Sequence, residues 1–465
     1  MIDAPEDSSA LLDFGSAVFL GCFAAGLTAL VLWICYPGFM SYDSLRMLEE
    51  ARSQVRGGVF PPMPVYVLRV FDMTGNGVPL LIATQVFTLA FCLLLICHWL
   101  GMNNWQAAGS TTLLMAFPPV FGACLVLWKD VTFSALLLVA VACIFATATG
   151  RAGRNSKLLC GVALAALSVA VLLRYNGLAA AIPLGAYWSF VSFRGIRRLT
   201  AVVAAIAIFV LSSLLVNSYG IFPIRKLDPA NNWLGVMAND LVGTSYWAKQ
   251  SLVPFKGKGP PEDPVPFRNI EGIYSSIGAD VIGHNAKNIG VRLRIYPHES
   301  TTDDLRRAWL SAISNHTLAY LRYRFDLFQE IIGLVRGETY EPTHYAKVDP
   351  NSFGIRGPDR SVTEYTLAYI RSASHTLFGK PWLVFAISTV CVLIVVFERG
   401  VRHPTSALAL ATWIAAMGYI APFFIISASG EVRYSVPSTV LCYVSIIAAL
   451  SLGQTSWKRH HAHKT

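Results

Sequence analysis

Four places in this chain set chemistry-bearing side chains just beyond an apolar stretch: Asp43, Asp130, Arg174 with Asn176, and Glu431 with Arg433. Tyr42, Lys129 and Tyr434 stand beside them. A carboxylate can take a proton, and a guanidinium offers planar donors to anionic oxygens. Each residue alone has a plainer use. Asp43 or Asp130 could cap a helix, and Arg174 or Arg433 could snorkel to the bilayer surface. The signal is their common position, because every one of them closes or opens an apolar segment. Charge at the edge of a membrane suits a substrate whose tail lies in lipid and whose head lies at the surface.

The elements that must hold these residues are membrane spans. Of the 465 residues, 54% are hydrophobic and only 14% are charged, and the mean hydropathy is +0.51. Soluble domains carry about 25% charged residues. Apolar stretches near the ~20 residues needed to cross a bilayer predict about ten transmembrane helices. They fall near 16–36, 80–99, 106–127, 131–149, 158–173, 177–193, 199–217, 381–397, 405–428 and 434–453. The fifth and sixth are short and divided only by Arg174-Tyr175-Asn176, which suits a tilted or partly re-entrant pair. The fold class expected is an all-α polytopic membrane protein.

Charge outside the spans sets the sidedness. Arg151, Arg154, Lys157, Arg194, Arg197, Arg198, Arg399, Arg402, Lys458, Arg459 and Lys464 all fall on one side of a ten-span chain, with Glu398 the sole acid among them. The positive-inside rule makes that side cytoplasmic, together with both termini. The leader Met1–Ser9 is acidic, unlike a signal peptide, and the first span runs on into the next loop. The loops bearing Asp43, Asp130, Arg174 and Arg433 are then expected on the extracytoplasmic face of a cytoplasmic membrane. The net charge of +10 is spread among short loops and forms no stripe, so no nucleic-acid partner is expected.

Three regions follow: a transmembrane module over 1–217 with an outer loop at 37–78, an extracytoplasmic or interfacial segment over 218–380, and spans with a basic tail over 381–465. In the first loop, Ser41 and Asp43 precede an amphipathic stretch that Gly57-Gly58 stops, and a second amphipathic stretch covers Val65–Met73. In the outer segment, Thr301-Thr302-Asp303-Asp304 leads into one long predicted helix from Leu305 to about Val335. That helix would lie at the interface or pack on a small soluble fold. Glu338–Arg360 reads as irregular.

No Asp, Glu, Lys or Arg falls inside the spans as drawn. Pumps and ion-coupled transporters place such groups at mid-membrane depth, so this pattern disfavours them. All nine cysteines lie in apolar stretches and read as packing residues, with no metal-type spacing. His284, His298 and His344 show no ligand spacing either. Asn315-His316-Thr317 fits a glycosylation sequon, to which a chain of bacterial style gives no weight.

The order of these features resembles the GT-C superfamily, multi-span glycosyltransferases that use polyprenyl-phosphate-linked sugars. The likeness rests on Ser41-Tyr42-Asp43 behind the first span, the amphipathic first loop, Asp130 after the third span, and Arg433-Tyr434 opening a late span. It covers spans one to seven and the Arg433-Tyr434 turn, and it is weak in the large outer segment. Related bacterial membrane proteins carry a His before Pro-Pro in the first loop, where this chain has Phe60.

The resemblance implies sugar transfer from a polyprenyl-phosphate donor to a glycan, lipid or protein acceptor, with inversion at the anomeric centre. Asp43 would be the base and Asp130 would orient the acceptor, or both would hold a divalent metal. Arg174 and Arg433 would bind the donor phosphate, supported by Tyr42, Lys129, Asn176, Glu431 and Tyr434. Two other readings stay open. A polysaccharide polymerase or O-antigen ligase also pairs spans with a long outer loop. A flippase, transporter or assembly scaffold would need a polar cavity reaching mid-membrane.

Overall fold

The structure, a computed structural model, describes residues 13–53, 55–56, 60–219, 225–226, 232–254, 266–278, 282, 285, 299–335, 341–401 and 403–462. Gly57-Gly58, His284 and His298 lie outside these residues. Among the described residues, eight helices are long and apolar enough to cross a membrane: Phe14–Cys35, Gly77–Trp99, Lys129–Ala148, Gly153–Leu173, Ile196–Val216, Pro381–Glu398, Pro404–Ile426 and Val432–Gly453. The chain is thus an all-helical, multi-pass membrane protein, apart from a two-residue parallel pairing of Val55-Arg56 with Arg225-Lys226.

The other two expected spans have a different form. The third is a pair of helices, Asn104–Met115 and Pro118–Cys124, bent by 82°. Pro118 and Pro119 cannot donate to the helical ladder, so they begin a new helix instead of continuing the old one. The sixth, Leu178–Ser192, has 15 residues, about 22 Å of helix against a core of ~30 Å.

The loop after the first span folds as two helices, Tyr42–Ser53 and Pro62–Asp72. Each buries its apolar stripe, with Leu45, Leu48 and Ala51 inward on one and Val65, Tyr66 and Leu68 on the other. A bidentate pair from Arg52 to Asp72 ties them together at 2.8 Å per bond. The turn before them needs Gly38, whose φ is +128° and whose missing Cβ would lie 2.4 Å from the Ile82 side chain.

A narrow backbone ribbon then fixes the loop. Phe39 N donates to Leu125 O at 3.0 Å, and Leu127 N donates back to Phe39 O at 2.9 Å. On the other edge Met40 N donates to Lys347 O at 2.7 Å, and Asp349 N donates to Met40 O at 3.0 Å. The segment 39–40 is therefore held between the end of the bent span and the irregular stretch near 347. Gly122 allows this close packing, since a Cβ there would meet the Pro342 carbonyl oxygen at 2.5 Å.

The segment 218–380 has its own small core among the described residues. Leu241, Val242, Ile270, Ile273 and Leu305 are buried together between helices Asn232–Ala248, Phe267–Ile273 and Glu299–Asn315. The single long helix expected over Leu305–Val335 is two helices, Glu299–Asn315 and Thr317–Ile332. His316 breaks it with non-helical φ −129° and ψ 40°, and left-handed Gly333 ends the second.

Candidate functional site

The four charge-bearing span ends converge. Arg433 Nη2 donates to Asp43 Oδ2 at 2.6 Å, although the two residues are 390 positions apart. The same guanidinium pairs through Nε with Glu431. Arg174 Nη1 pairs with Asp130 Oδ1. Asp130 is fully buried, and Arg174 and Arg433 are each 7% exposed. The ends of the bent span, of Gly153–Leu173 and of Pro404–Ile426, and the start of Tyr42–Ser53, therefore share one end of the helix bundle.

Each position follows from local chain chemistry. Lys129 and Asp130 are the first two residues of their helix, where a carboxylate meets the positive end of the helix dipole. Arg174 directly follows the last turn of Ser156–Leu173 in extended backbone. Arg433 sits in a short 3-10 turn, Val432–Ser435, before the last span. Asp43 lies in the first turn of Tyr42–Ser53.

Aromatic rings fill the space between the ions. The Tyr434 ring lies 4.9 Å from the Arg174 guanidinium and 5.5 Å from that of Arg433. Tyr434 stacks on Phe423 at 5.0 Å. Arg174 also faces Phe423 and Tyr419, and Arg433 faces Trp128 at 5.1 Å. Trp128 is held by its indole N–H, which donates to Ser41 Oγ at 3.0 Å. Lys129 Nζ lies 4.5 Å from the centre of the Phe60 ring.

Of the supporting residues named from the sequence, Glu431 accepts from the Ser429 hydroxyl at 3.0 Å and from the Tyr434 hydroxyl at 3.3 Å. Asn176 sits next to Tyr419. Tyr42 is turned outward, 67% exposed. His344 is away from this cluster and pairs with Asp349 at 3.0 Å. Sequence reasoning did not reach Trp128, Tyr419 and Phe423 as parts of the site, and it met Phe60 only as a residue of the first loop. The sequence signal of the first three is an aromatic residue near a span end.

The electrostatics are balanced. Asp43, Asp130 and Glu431 face Lys129, Arg174 and Arg433. Burial pushes the Asp43 carboxyl pKa up, but Arg433, Lys129 and Arg174 together outweigh burial and hold it below the usual carboxylate range. Asp43 is therefore ionised at neutral pH.

This donor set does not fit a divalent metal. Asp43 and Asp130 each already face a guanidinium, and two fixed cations within the same cluster oppose a third. No group of three or more His, Cys, Asp or Glu suited to a metal occurs among the described residues.

The cluster is gripped from the outer segment. Arg324 is fully buried and donates to Asp240 at 2.5 Å and to the Ser427 carbonyl at 2.6 Å. Gly430 N donates to Ile277 O at 2.6 Å, and Gly278 pairs with Ser429 in an antiparallel bridge. The strap 427–431 that carries Glu431 toward Arg433 is thus bonded to Arg324 and to the 277–278 segment.

Compared with known protein families, curated proteins and solved structures, the chain shows no significant match.

Proposed function

We propose that this protein is a membrane glycosyltransferase that moves a sugar from a polyprenyl-phosphate-linked donor to a hydroxyl acceptor at the extracytoplasmic face of a cytoplasmic membrane. The observation that supports it most is the Arg433–Asp43 contact, which joins the first outer loop to the last span and sets a carboxylate among three cations. Such a set matches both halves of the reaction. The acceptor oxygen attacks the anomeric carbon and forms the new C–O bond. The bond between that carbon and the phosphate oxygen breaks, and the electron pair leaves with the polyprenyl phosphate. The acceptor proton passes to Asp43. Negative charge growing on the departing phosphate develops within the field of the cationic side chains Arg174, Arg433 and Lys129. One displacement of this kind inverts the anomeric centre. Asp130, fully buried, orients Arg174.

The test uses purified protein with a panel of polyprenyl-phosphate monosaccharides and membrane extract as acceptor, and follows release of polyprenyl phosphate. Wild type should turn over at least one donor, and Asp43→Asn should lose about 10²–10⁴-fold of that rate, the range of a general base. Full activity in Asp43→Asn would remove the assigned base. Turnover only of diphosphate-linked oligosaccharides would favour a polymerase or ligase.

A further inference from the structure

The three cations of the site are not equally available. Arg433 is held by Asp43 and Glu431, and taking it away would leave two carboxylates facing each other. Arg174 is held by Asp130, and taking it away would strand a fully buried carboxylate whose Oδ2 has no hydrogen-bond partner among the described residues. Uncompensated buried charge is costly. Lys129 has no ion pair among the described residues, and its ammonium lies over the Phe60 ring. A cation–π contact is the weakest of the three restraints.

Its surroundings leave room for one oxygen-sized group. Lys129 borders a cavity of about 20 Å³, the size of a single water site, whose other walls are mostly apolar, from Met47, Pro64, Leu68, Leu81 and Leu173. Its position at the start of its helix, where Trp128 supplies no side-chain cap, adds backbone N–H groups of the same polarity.

We propose that Lys129 is the phosphate-binding residue of this site, taking a lipid-linked phosphate oxygen directly, while Arg433 and Arg174 remain on their carboxylates. Arg433 is then a positioning residue for Asp43. This inference rests on the lipid-phosphate reading above. It reverses the sequence expectation, in which Lys129 only supports two phosphate-binding arginines.

The experiment is binding without turnover. Detergent-solubilised protein is titrated by native mass spectrometry with polyprenyl monophosphate and with the polyprenol of equal length. Wild type should prefer the phosphate. Lys129→Met should lose about tenfold of that preference, equal to ~1.4 kcal/mol, while alcohol binding, which reports an intact fold, stays within about twofold. Lys129→Arg should keep most of the preference. A full preference in Lys129→Met overturns the assignment of Lys129 and leaves the glycosyltransferase reading standing. No preference in wild type overturns both. Equal competition by inorganic phosphate would overturn the lipid-linked form of the ligand.

Discussion

Arg324 donates to the backbone carbonyl of Ser427 at 2.6 Å, reaching from the outer segment to the end of a span 103 positions away. The same guanidinium holds Asp240 at 2.5 Å with both residues buried. The outer segment is thereby fastened to the strap that leads into Glu431 and Arg433. Its fold and the geometry of the charged cluster are physically one problem.

Removing Arg324 should therefore cost more than the bonds it makes. Arg324→Met leaves Asp240 buried without its cation, with only the Trp309 indole N–H still donating to it, a loss of about 3–5 kcal/mol. The double variant Arg324→Met/Asp240→Leu removes both charges and should recover most of that stability. Thermal unfolding of the purified protein measures both. Equal losses in the single and double variants would show that the ion pair is not the source.

The pair inside the cluster allows a matching comparison. Arg174→Met should destabilise by about 3–5 kcal/mol, because Asp130 is fully buried with its guanidinium gone. Adding Asp130→Asn should restore part of it by removing the stranded charge. Failure of the second substitution to help would mean that the aromatic contacts of Arg174, not its charge, dominate.

Gly122→Ala tests the ribbon. A Cβ would sit 2.5 Å from the Pro342 carbonyl oxygen and 2.9 Å from Thr343 Cβ, so backbone must shift. Overpacking of this kind costs about 1–3 kcal/mol. Hydrogen exchange should rise at 39–43 and 342–349. Unchanged exchange there would place the strain elsewhere.

The pH dependence follows from Asp43. Burial raises its pKa, and Arg433, the largest opposing influence, leads the set that brings it below the usual carboxylate value. The base form is then present down to pH values below the ordinary carboxylate range of about 4. The acid limb of kcat/KM assigned to Asp43 should lie below that value, with a flat profile from there to neutrality. Arg433→Gln removes the largest lowering influence while burial remains, so the limb of the residual activity should move upward. A limb that stays in place would show that Asp43 does not set it. By the same sign, the stability from the Asp43–Arg433 contact is present above the unfolded pKa and is lost as pH falls through the lowered folded value.

Much of the frame was legible in the sequence, because hydropathy and amphipathic periodicity are local signals. They placed the spans near their observed ranges and marked both helices of the first loop. They did not show that Pro118-Pro119 turns the third apolar stretch by 82°. A hydropathy window averages over residue type and ignores a missing backbone donor. Nor did the apolar pattern of 305–335 reveal the break at His316, since both sides of the break keep a helical period. The residues of the cluster were legible as separate edge charges. Their pairing was not. Nothing local to Arg433 distinguishes Asp43 from Asp130 as its partner, and the choice is made by the 39–40 ribbon and the strap at 427–431.

Three acids and three bases packed together leave the site with almost no net charge to project into the surrounding water. Such a site cannot draw an anion from solution over a distance, because long-range steering needs a net field. For the lipid-linked donor proposed above, encounter would then depend on movement within the bilayer plane, with little influence of ionic strength on its rate. The neutrality of the cluster would act as a filter on the route of arrival, favouring molecules already anchored in the membrane over those dissolved beside it.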